Sequence, residues 1–269
     1  MKIGISTTLN FEIPLAEMLP LVKAAGFDAV SLGGKREHSN YHLAEGRAHI
    51  GRLLDKTGLL LDSIHAPFKR EDGDISALEE EIRTGAVENL KNAVDAADVL
   101  RAPIVILHLN ARFPGAATPE RIEQVRRSMH ELVPYAETKN VNLACENLAR
   151  ESEHRIFETI LAEFTQPHVG FCYDSAHDYI SGTNFKTLER FGGRLVTIHI
   201  VDDIETRQDD HLLPFEGKID WQGFIRVFKK IDYKGIFLLE PEMRLSAFKQ
   251  PAVFLKEALA LAKRILDQC

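Results

Sequence analysis

Short runs of apolar and β-branched residues alternate with longer amphipathic segments along the whole chain. The short runs predict buried strands and the longer segments predict helices, because the two patterns match the periods of those structures. The predicted strands are residues 2–6, FDAVSL, LLLDSIH, PIVILH, VNLACEN, VGFCYD, LVTIHIVD and GIFLLE. Each of these eight strands is followed by a helical segment, which indicates a regular β-α repeat.

Local signals mark several of the helix ends. Gly26 suits the position just after a first helix, and Gly58 suits the end of a second one at residues 43–57. The run Thr118-Pro119-Glu120 is typical of a helix start. Further helices are predicted at residues 76–100, at about 154–164, at 184–192, from about 220 and at 251–267.

Six consecutive strands end on a residue that can bind a metal. These residues are His65, His108, Glu146, Asp174, His199 and Glu240. Buried strands normally end on apolar or turn-forming residues, because an ionisable side chain loses hydration when it is buried. The pattern therefore predicts a polar site where six strand ends meet.

The strand ends also decide between two architectures. Strict β-α alternation predicts a parallel sheet with right-handed crossovers, which is either open or closed. In an open sheet, six strand ends would spread over about 25 Å at about 4.8 Å per strand. In a closed barrel they surround one mouth. The sequence therefore predicts a (β/α)8 TIM barrel.

Composition supports a single domain over residues 1–269. The chain has 269 residues and 45% hydrophobic residues, enough for a barrel of about 250 residues, and it contains no linker-like segment. No apolar run of about 18 residues is present, and the start MKIGIS resembles a strand. Cys145, Cys172 and Cys269 lack C-x-x-C spacing and are expected to be reduced thiols. We expect a cytoplasmic protein with no membrane segment.

Four of the strand-end residues form a candidate metal centre: Glu146, Asp174, His199 and Glu240. Carboxylate oxygens combined with imidazole nitrogens suit Zn²⁺, Mn²⁺, Co²⁺ or Mg²⁺. A single acid at a strand end more often caps a helix or pairs with a base, but four ligands on successive strands favour a metal. His177, Asp209 and His211 could extend the cluster, although their spacing alone leaves this open.

The chain resembles the sugar isomerase/epimerase-like barrels, a superfamily that also includes xylose isomerase and endonuclease IV. The resemblance covers essentially the whole chain, and the order of its motifs on successive strand ends makes it specific. The motifs are HAPF at His65, VILHLN at His108, CENL at Glu146, FCYDSAH at Asp174, TIHIVDD at His199, DDHLLPFEGKIDW, and LLEPE at Glu240.

The resemblance to the ketose epimerases implies one divalent metal held by Glu146, Asp174, His199 and Glu240. It also implies that Glu146 and Glu240 act as acid and base on opposite faces of the substrate. A proton next to a carbonyl is too weakly acidic for a carboxylate unless the enediolate charge is stabilised, which a metal can do. Two carboxylates then remove and return the proton.

The resemblance to endonuclease IV implies another use of the same residues. It places one zinc at His65, His108 and Glu146, a second at Glu146, Asp174, His199 and Glu240, and a third at His177, Asp209 and His211. Compatible ligands fill all of these positions, so zinc-dependent hydrolysis of a phosphodiester is the alternative function.

Several departures bear on this choice. The ending IDW resembles the sugar enzymes, and Lys35, Arg36 and Phe68 are too few for an insert that binds the DNA backbone. The net charge of −7 also disfavours a nucleic-acid substrate. Ser152 stands where the ketose 3-epimerases have a substrate-contacting Glu, and Glu205 stands where they have an Arg. These two differences argue against 3-epimerisation of a free ketose.

We therefore predict a divalent-metal-dependent isomerase or epimerase that acts on a sugar or sugar derivative. The substrate-binding candidates are His65, His108, His177, Arg207 and His211. Arg207, Lys218 and Arg244 follow the last two strands, where barrels often bind phosphate. A catalytically silent barrel that binds a metal or sugar is a third hypothesis. The sequence leaves open whether the chain forms a homo-oligomer.

Overall fold

The computed structural model describes residues 1–111, 117–204 and 209–269. Within them, eight strands run parallel in the spatial order β7-β6-β5-β4-β3-β2-β1-β8. The strands are β1 Ile3–Ser6, β2 Ala29–Leu32, β3 Leu60–His65, β4 Ile104–Leu107, β5 Asn142–Glu146, β6 Val169–Asp174, β7 Leu195–His199 and β8 Phe237–Leu239. Strands that follow one another in the chain are therefore neighbours in the sheet.

The helices lie between the strands. They are α1 Leu15–Ala25, α2 Arg36–Ser39, α3 Ala44–Thr57, α4 Arg70–Gly73, α5 Glu80–Leu100, α6 Pro119–Thr138, α7 Glu151–Glu163, α8 Ser175–Ser181, α9 Lys186–Phe191, α10 Trp221–Phe228 and α11 Pro251–Leu266. No helix in the described ranges is long and apolar enough to cross a membrane.

The sheet closes on itself between β7 and β8. A parallel bridge pairs Ile200 with Leu239, and the amide of Ile200 donates to the carbonyl of Leu238 at 2.9 Å. The hydroxyl of Tyr233 donates to the carbonyl of Ile236 at 2.9 Å, near the start of β8. The eight parallel strands and the bridge confirm the predicted (β/α)8 barrel.

Two apolar layers stabilise the barrel. The larger one lies between the strands and the surrounding helices, and it includes Val105, Cys145 and Tyr173. The smaller one fills the barrel interior with Ile104, Ile106, Ala144 and Cys172, against which Val196 packs. Because side chains alternate along a strand, Cys145 faces the helices and Glu146 faces inward, as predicted.

Two opposite strands, β3 and β7, carry irregularities of register. The pairing of β2 with β3 shifts so that Asp62 has no partner, and the pairing of β6 with β7 shifts so that Val196 has none. Asp62 and Thr197 are buried, and the Thr197 hydroxyl donates to the Asp62 carboxylate at 3.0 Å. This hydrogen bond crosses the interior from β7 to β3.

Some element boundaries differ from the sequence-based prediction. The helix expected at about 154 begins at Glu151, because the Glu153 carboxylate accepts from the Arg150 amide at 3.0 Å and caps its first turn. The helix predicted at residues 76–100 begins at Glu80, and β7 ends at His199 rather than at residue 202. Short helices α2, α4 and α8 were not predicted, since each spans few residues and lacks a clear apolar period.

Candidate metal centre

All six strand-end residues predicted to form a site meet at the carboxyl end of the barrel. His65, Glu146, Asp174 and His199 are the last residues of their strands, and His108 and Glu240 follow β4 and β8 directly. Asp174, His199 and Glu146 are almost fully buried, while the His108 side chain is 14% exposed. These strand ends thus form the floor of a mouth that opens towards solvent at His108.

Glu146, Asp174, His199 and Glu240 form the most enclosed group. His199 Nδ1 lies 2.9 Å from Glu146 Oε1 and 2.9 Å from Glu240 Oε2. The same nitrogen is 3.9 Å from Asp174 Oδ2. One ligand atom from each of the four residues lies within 4.8 Å of the others, so one cation could contact all of them after small adjustments.

A second group shares Glu146 with the first. His65 Nε2 lies 3.2 Å, and His108 Nε2 3.0 Å, from Glu146 Oε2. The ligand atoms of His65, His108 and Glu146 also lie within 4.8 Å of one another. The two oxygens of Glu146 therefore face different groups, as a carboxylate that bridges two cations would.

His177, Asp209 and His211 are joined through one carboxylate oxygen. Asp209 Oδ2 lies 3.1 Å from His177 Nε2 and 3.1 Å from His211 Nε2. His177 Nδ1 is 2.9 Å from the Asn147 carbonyl oxygen, which orients the ring. In the described ranges, this trio is not among the groups whose ligand atoms all lie within 4.8 Å of one another. It is therefore a looser candidate than the other two.

The electrostatics of the floor depend on carboxylates that face imidazoles. Burial by itself raises the pKa of Glu146, but His199, His108 and His65 more than offset this and hold the pKa well below its usual range. Burial and the charges of Glu146 and Asp209 raise the pKa of Asp174 to about 6, although His177 opposes the shift. The cluster is therefore rich in negative charge that a cation can neutralise.

The imidazoles respond in the opposite sense. Burial lowers the pKa of His177, but the carboxylates of Asp174 and Asp209 outweigh it and raise this pKa to about 10. Burial likewise lowers the pKa of His199, but Cys172 and the carboxylates of Glu240 and Glu146 outweigh it and hold this pKa well above its usual range. Without a metal, protons on these rings supply the positive charge of the floor.

One buried atom of the first group supports a metal-ligand role. Asp174 Oδ2 has no hydrogen-bond partner in the described part of the chain, although the residue is 0% exposed. An unpaired carboxylate oxygen in the interior is costly unless something positive faces it. The donor set and the unpaired oxygen of Asp174 fit a divalent cation.

Two residues that sequence reasoning did not select hold the site together. Asn147 pairs with the backbone of Asp174, donating to its carbonyl at 2.9 Å and accepting from its amide at 2.8 Å. Asp202 accepts hydrogen bonds of 2.8–3.0 Å from the amides of Phe215 and Ile219 and from the Trp221 indole. It thereby anchors the loop that carries Asp209 and His211. In the sequence, only the position of Asn147 and Asp202 close to strand ends pointed to these roles.

Not every predicted contact can be placed. Arg207 and Glu205 lie outside the described residues. Lys218 is exposed, and Arg244 pairs with Glu242 at 3.3 Å. A cavity of about 450 Å³ stands directly over Glu146, Glu240 and His211, whereas a larger one of about 610 Å³ lies at the other end of the barrel. The chemistry of the floor, rather than cavity size, identifies the candidate site.

The chain is similar to several known proteins. It is 28% identical to the uncharacterized protein y4fM of Sinorhizobium fredii, in an alignment that covers 92% of this chain and 87% of that protein. Its fold matches crystal structures of the 3-keto-D-glucoside 4-epimerase YcjR from E. coli and of a D-allulose 3-epimerase from Methylomonas sp. The TM-scores are 0.79 and 0.81, at 20% and 18% identity, with 98% of this chain and 99% and 98% of those chains covered.

The similarity to these two structures establishes only the fold, because activity cannot be transferred between proteins at so low a sequence identity. Family membership comes from the sequence itself. The sequence model of the family described as the xylose isomerase-like TIM barrel matches residues 19–264, which span seven of the strands and all six strand-end residues. The match confirms the resemblance seen in the motifs, and the chain belongs to the xylose isomerase-like TIM barrel family.

Proposed function

We propose that the protein is a divalent-metal-dependent isomerase or epimerase of a sugar or sugar derivative. The observation that carries the proposal is the approach of two carboxylates, Glu146 and Glu240, to the same nitrogen of His199, each at 2.9 Å. The two acids come from β5 and β8, on different sides of the mouth. The fold neighbours include a 3-keto-D-glucoside 4-epimerase and a D-allulose 3-epimerase, which adds support.

Glu146, Asp174, His199 and Glu240 would hold the cation. When bound, it supplies electrostatic stabilisation of the negative charge that develops on the substrate oxygens. Facing imidazoles keep the pKa of Glu146 and of Glu240 below its usual range despite burial, so both are carboxylates at neutral pH. Either can therefore act as a base.

The acid–base step needs one carboxyl group on each face of the substrate. One carboxylate takes the proton from the carbon next to the carbonyl, and the other group, after taking up a proton from solvent, returns that proton from the opposite face. This inverts the carbon. His65, His108, His177 and His211 line the cavity above the floor and would hydrogen-bond to the substrate hydroxyls. Arg207, the remaining predicted contact, has no described position.

One observation favours a second function. The compact group of His65, His108 and Glu146 could hold another cation beside the first, with Glu146 shared between them. Two neighbouring cations can clamp the attacking and leaving oxygens of a phosphodiester. A zinc-dependent phosphodiesterase is therefore the alternative, and it predicts more than one metal per chain.

Metal counting and isotope exchange separate these functions. The isomerase or epimerase predicts about one tightly bound metal per chain, together with entry of solvent deuterium beside the carbonyl of a ketose. Glu146→Gln should abolish the exchange. About three zinc per chain, lost in part in His177→Ala or His211→Ala, would instead support the phosphodiesterase. No exchange with a broad panel of sugars, with one metal bound, would indicate a silent metal-binding barrel.

A further inference from the structure

The cavity over the candidate metal centre continues sideways into a second cavity. We call the cavity over the centre, about 450 Å³, the first lobe, and its neighbour, about 500 Å³, the second lobe. Both are lined by Phe68, Lys69, His108, His177 and Asp209. The two lobes therefore form one cleft that Phe68 divides.

The reacting part of a substrate must lie in the first lobe. Glu146, Glu240 and His211 line that lobe and do not line the second one in the described part of the protein. Small-molecule sites commonly have volumes of about 300–1,000 Å³. Each lobe is thus large enough to hold a unit of its own, and the second lobe is available to a part of the substrate that does not react.

The walls of the second lobe are mixed in character. Leu148 and Ile180 are apolar, as is Phe68 on the shared side. Asn110 and Lys69 are polar and line the same lobe. An apolar wall beside polar side chains suits a ligand with both C–H faces and hydroxyl groups.

The charges of the second lobe do not favour a phosphate. Arg70 is already paired with Glu79 at 2.6 Å and lies 3.9 Å from Asp74. Lys69 and Arg150 add positive charges, but Glu71, Glu153 and Asp209 line the same lobe. Three carboxylates thus accompany the three basic side chains, so the described residues of the lobe offer no excess of positive charge to an anion and suit an uncharged group better.

Phe68 is held in place between the two lobes. Its ring centroid lies 4.9 Å from that of His108 and 5.4 Å from that of His65. A Cβ atom added to Gly34 would lie 2.6 Å from the Phe68 ring, so the ring packs closely on that backbone. Because these three neighbours hold the ring, Phe68 separates the two lobes even when no ligand is bound.

From these observations we infer that the substrate is an uncharged two-unit carbohydrate. The reacting sugar lies in the first lobe, and a second unit of about the size of a sugar ring, attached through a glycosidic bond, lies in the second. This inference rests on the proposed function. Binding energy from the non-reacting unit can then orient the reacting unit over Glu146 and Glu240.

A matched pair of ketoses tests the inference. D-fructose contains one unit, whereas maltulose and isomaltulose carry the same ketose with a glucosyl unit attached. Calorimetric titration of the Mn²⁺-loaded protein should show at least about tenfold tighter binding of one disaccharide than of D-fructose. Comparable affinities for all three sugars would overturn the inference.

Variants that fill the second lobe sharpen the test. Ala149 and Ile180 line that lobe and do not line the first. Ala149→Trp should remove the tenfold preference and leave D-fructose binding unchanged, and Ile180→Trp provides a second variant should the first fail to fold. Ala149→Ser keeps the lobe open and is the matched control. Equal losses for D-fructose and the disaccharides would contradict the inference.

The outcomes also separate this inference from the proposed function. If D-fructose binds and exchanges deuterium but the disaccharides bind no better, the two-unit substrate is wrong and the proposed function stands. If none of the three sugars binds to the metal-loaded protein, the two-unit substrate is wrong, and exchange with the broad panel of sugars decides the proposed function separately. Preferential binding of a disaccharide without deuterium exchange would support the cleft and contradict the acid–base role.

Discussion

His199 Nδ1 lies 2.9 Å from Glu240 Oε2 at the place where the barrel closes. The parallel bridge between β7 and β8 pairs Ile200 with Leu239, so each bridge residue is the chain neighbour of one of these two groups. The contact that closes the sheet therefore also sets the distance between two candidate ligands. We expect a cation bound by both residues to stabilise the contact between β7 and β8.

The acid–base pair can be tested by removing one charge at a time. Glu146→Gln and Glu240→Gln keep the shape of the side chain but cannot accept the substrate proton. Each should lower kcat by about 10²–10⁴-fold, the usual contribution of a positioned acid or base, and more if metal is also lost. The measurement is solvent deuterium incorporation by variants whose metal content has been determined.

Glu137→Gln is the control for this pair, since Glu137 is exposed on α6. It should retain wild-type kcat. Full activity of Glu240→Gln at normal metal content would exclude Glu240 from proton transfer.

Metal affinity should rise with pH. Neighbouring carboxylates, against the effect of burial, hold the pKa of His199 above its usual range, and burial raises the pKa of Asp174 to about 6. A cation must displace the protons held by these groups, so its apparent Kd should fall as pH increases from 6 to 8. Competition with a chromogenic chelator measures this directly. A Kd that is constant over the range would show that these groups are not the ligands.

Asp202 should be important for stability and for the site. Asp202→Ala removes the acceptor of the Phe215 and Ile219 amides and of the Trp221 indole, and leaves buried donors unpaired. We expect a loss of about 3 kcal/mol in the free energy of unfolding, measured in urea. Metal-loaded Asp202→Ala should also show a raised KM, because His211 lies in the loop that Asp202 anchors.

Asp232→Ala is the comparison, because Asp232 is exposed and pairs only with Lys234 in the described structure. Its stability and KM should match the wild type. If Asp202→Ala had a normal KM, the anchored loop would not contribute to substrate binding.

Asp62 should make stability depend on pH. Burial raises its pKa in the folded state, while hydrogen bonds from Ser63 and Thr197 oppose the shift. Below the unfolded-state pKa of about 4, Asp62 is protonated in both the folded and the unfolded state, so its ionisation does not affect the free energy of unfolding. Above it the Asp62 carboxyl ionises first in the unfolded state, so its contribution to wild-type stability falls by about 1.4 kcal/mol per pH unit until the folded state also ionises.

Asp62→Asn lacks this ionisation. The free energy of unfolding of the variant minus that of the wild type should therefore increase with pH above 4. Urea denaturation of the metal-free proteins at several pH values measures this difference. If it did not change with pH, Asp62 would ionise equally easily in both states.

The barrel and its floor could be predicted because each rests on a local pattern. Apolar runs identified the strands, and ligand-type residues at their ends identified Glu146, Asp174, His199 and Glu240. The role of Asp202 could not be predicted, because its partners lie 13 to 19 positions away in an irregular loop. Nor could the second lobe be predicted, since Asn110, Leu148 and Ile180 meet only after two loops and α8 fold over the strand ends.

The irregular register of β3 has a consequence for how such chains can change. Leu61 packs towards the helices, yet His65, four residues later, faces the mouth. In a regular strand, residues that are four positions apart point to the same face. Asp62 is an extra residue that forms a bulge, so the residues after it point to the face opposite to the one that regular alternation from Leu61 would give. Deleting that one residue would leave Ser63 opposite Ser31 and Ile64 opposite Leu32, so His65 would keep its place at the mouth. The acceptor of the Thr197 hydroxyl would be lost. Relatives with an alignment gap at this position would therefore present the same side chains to the cleft as relatives without one.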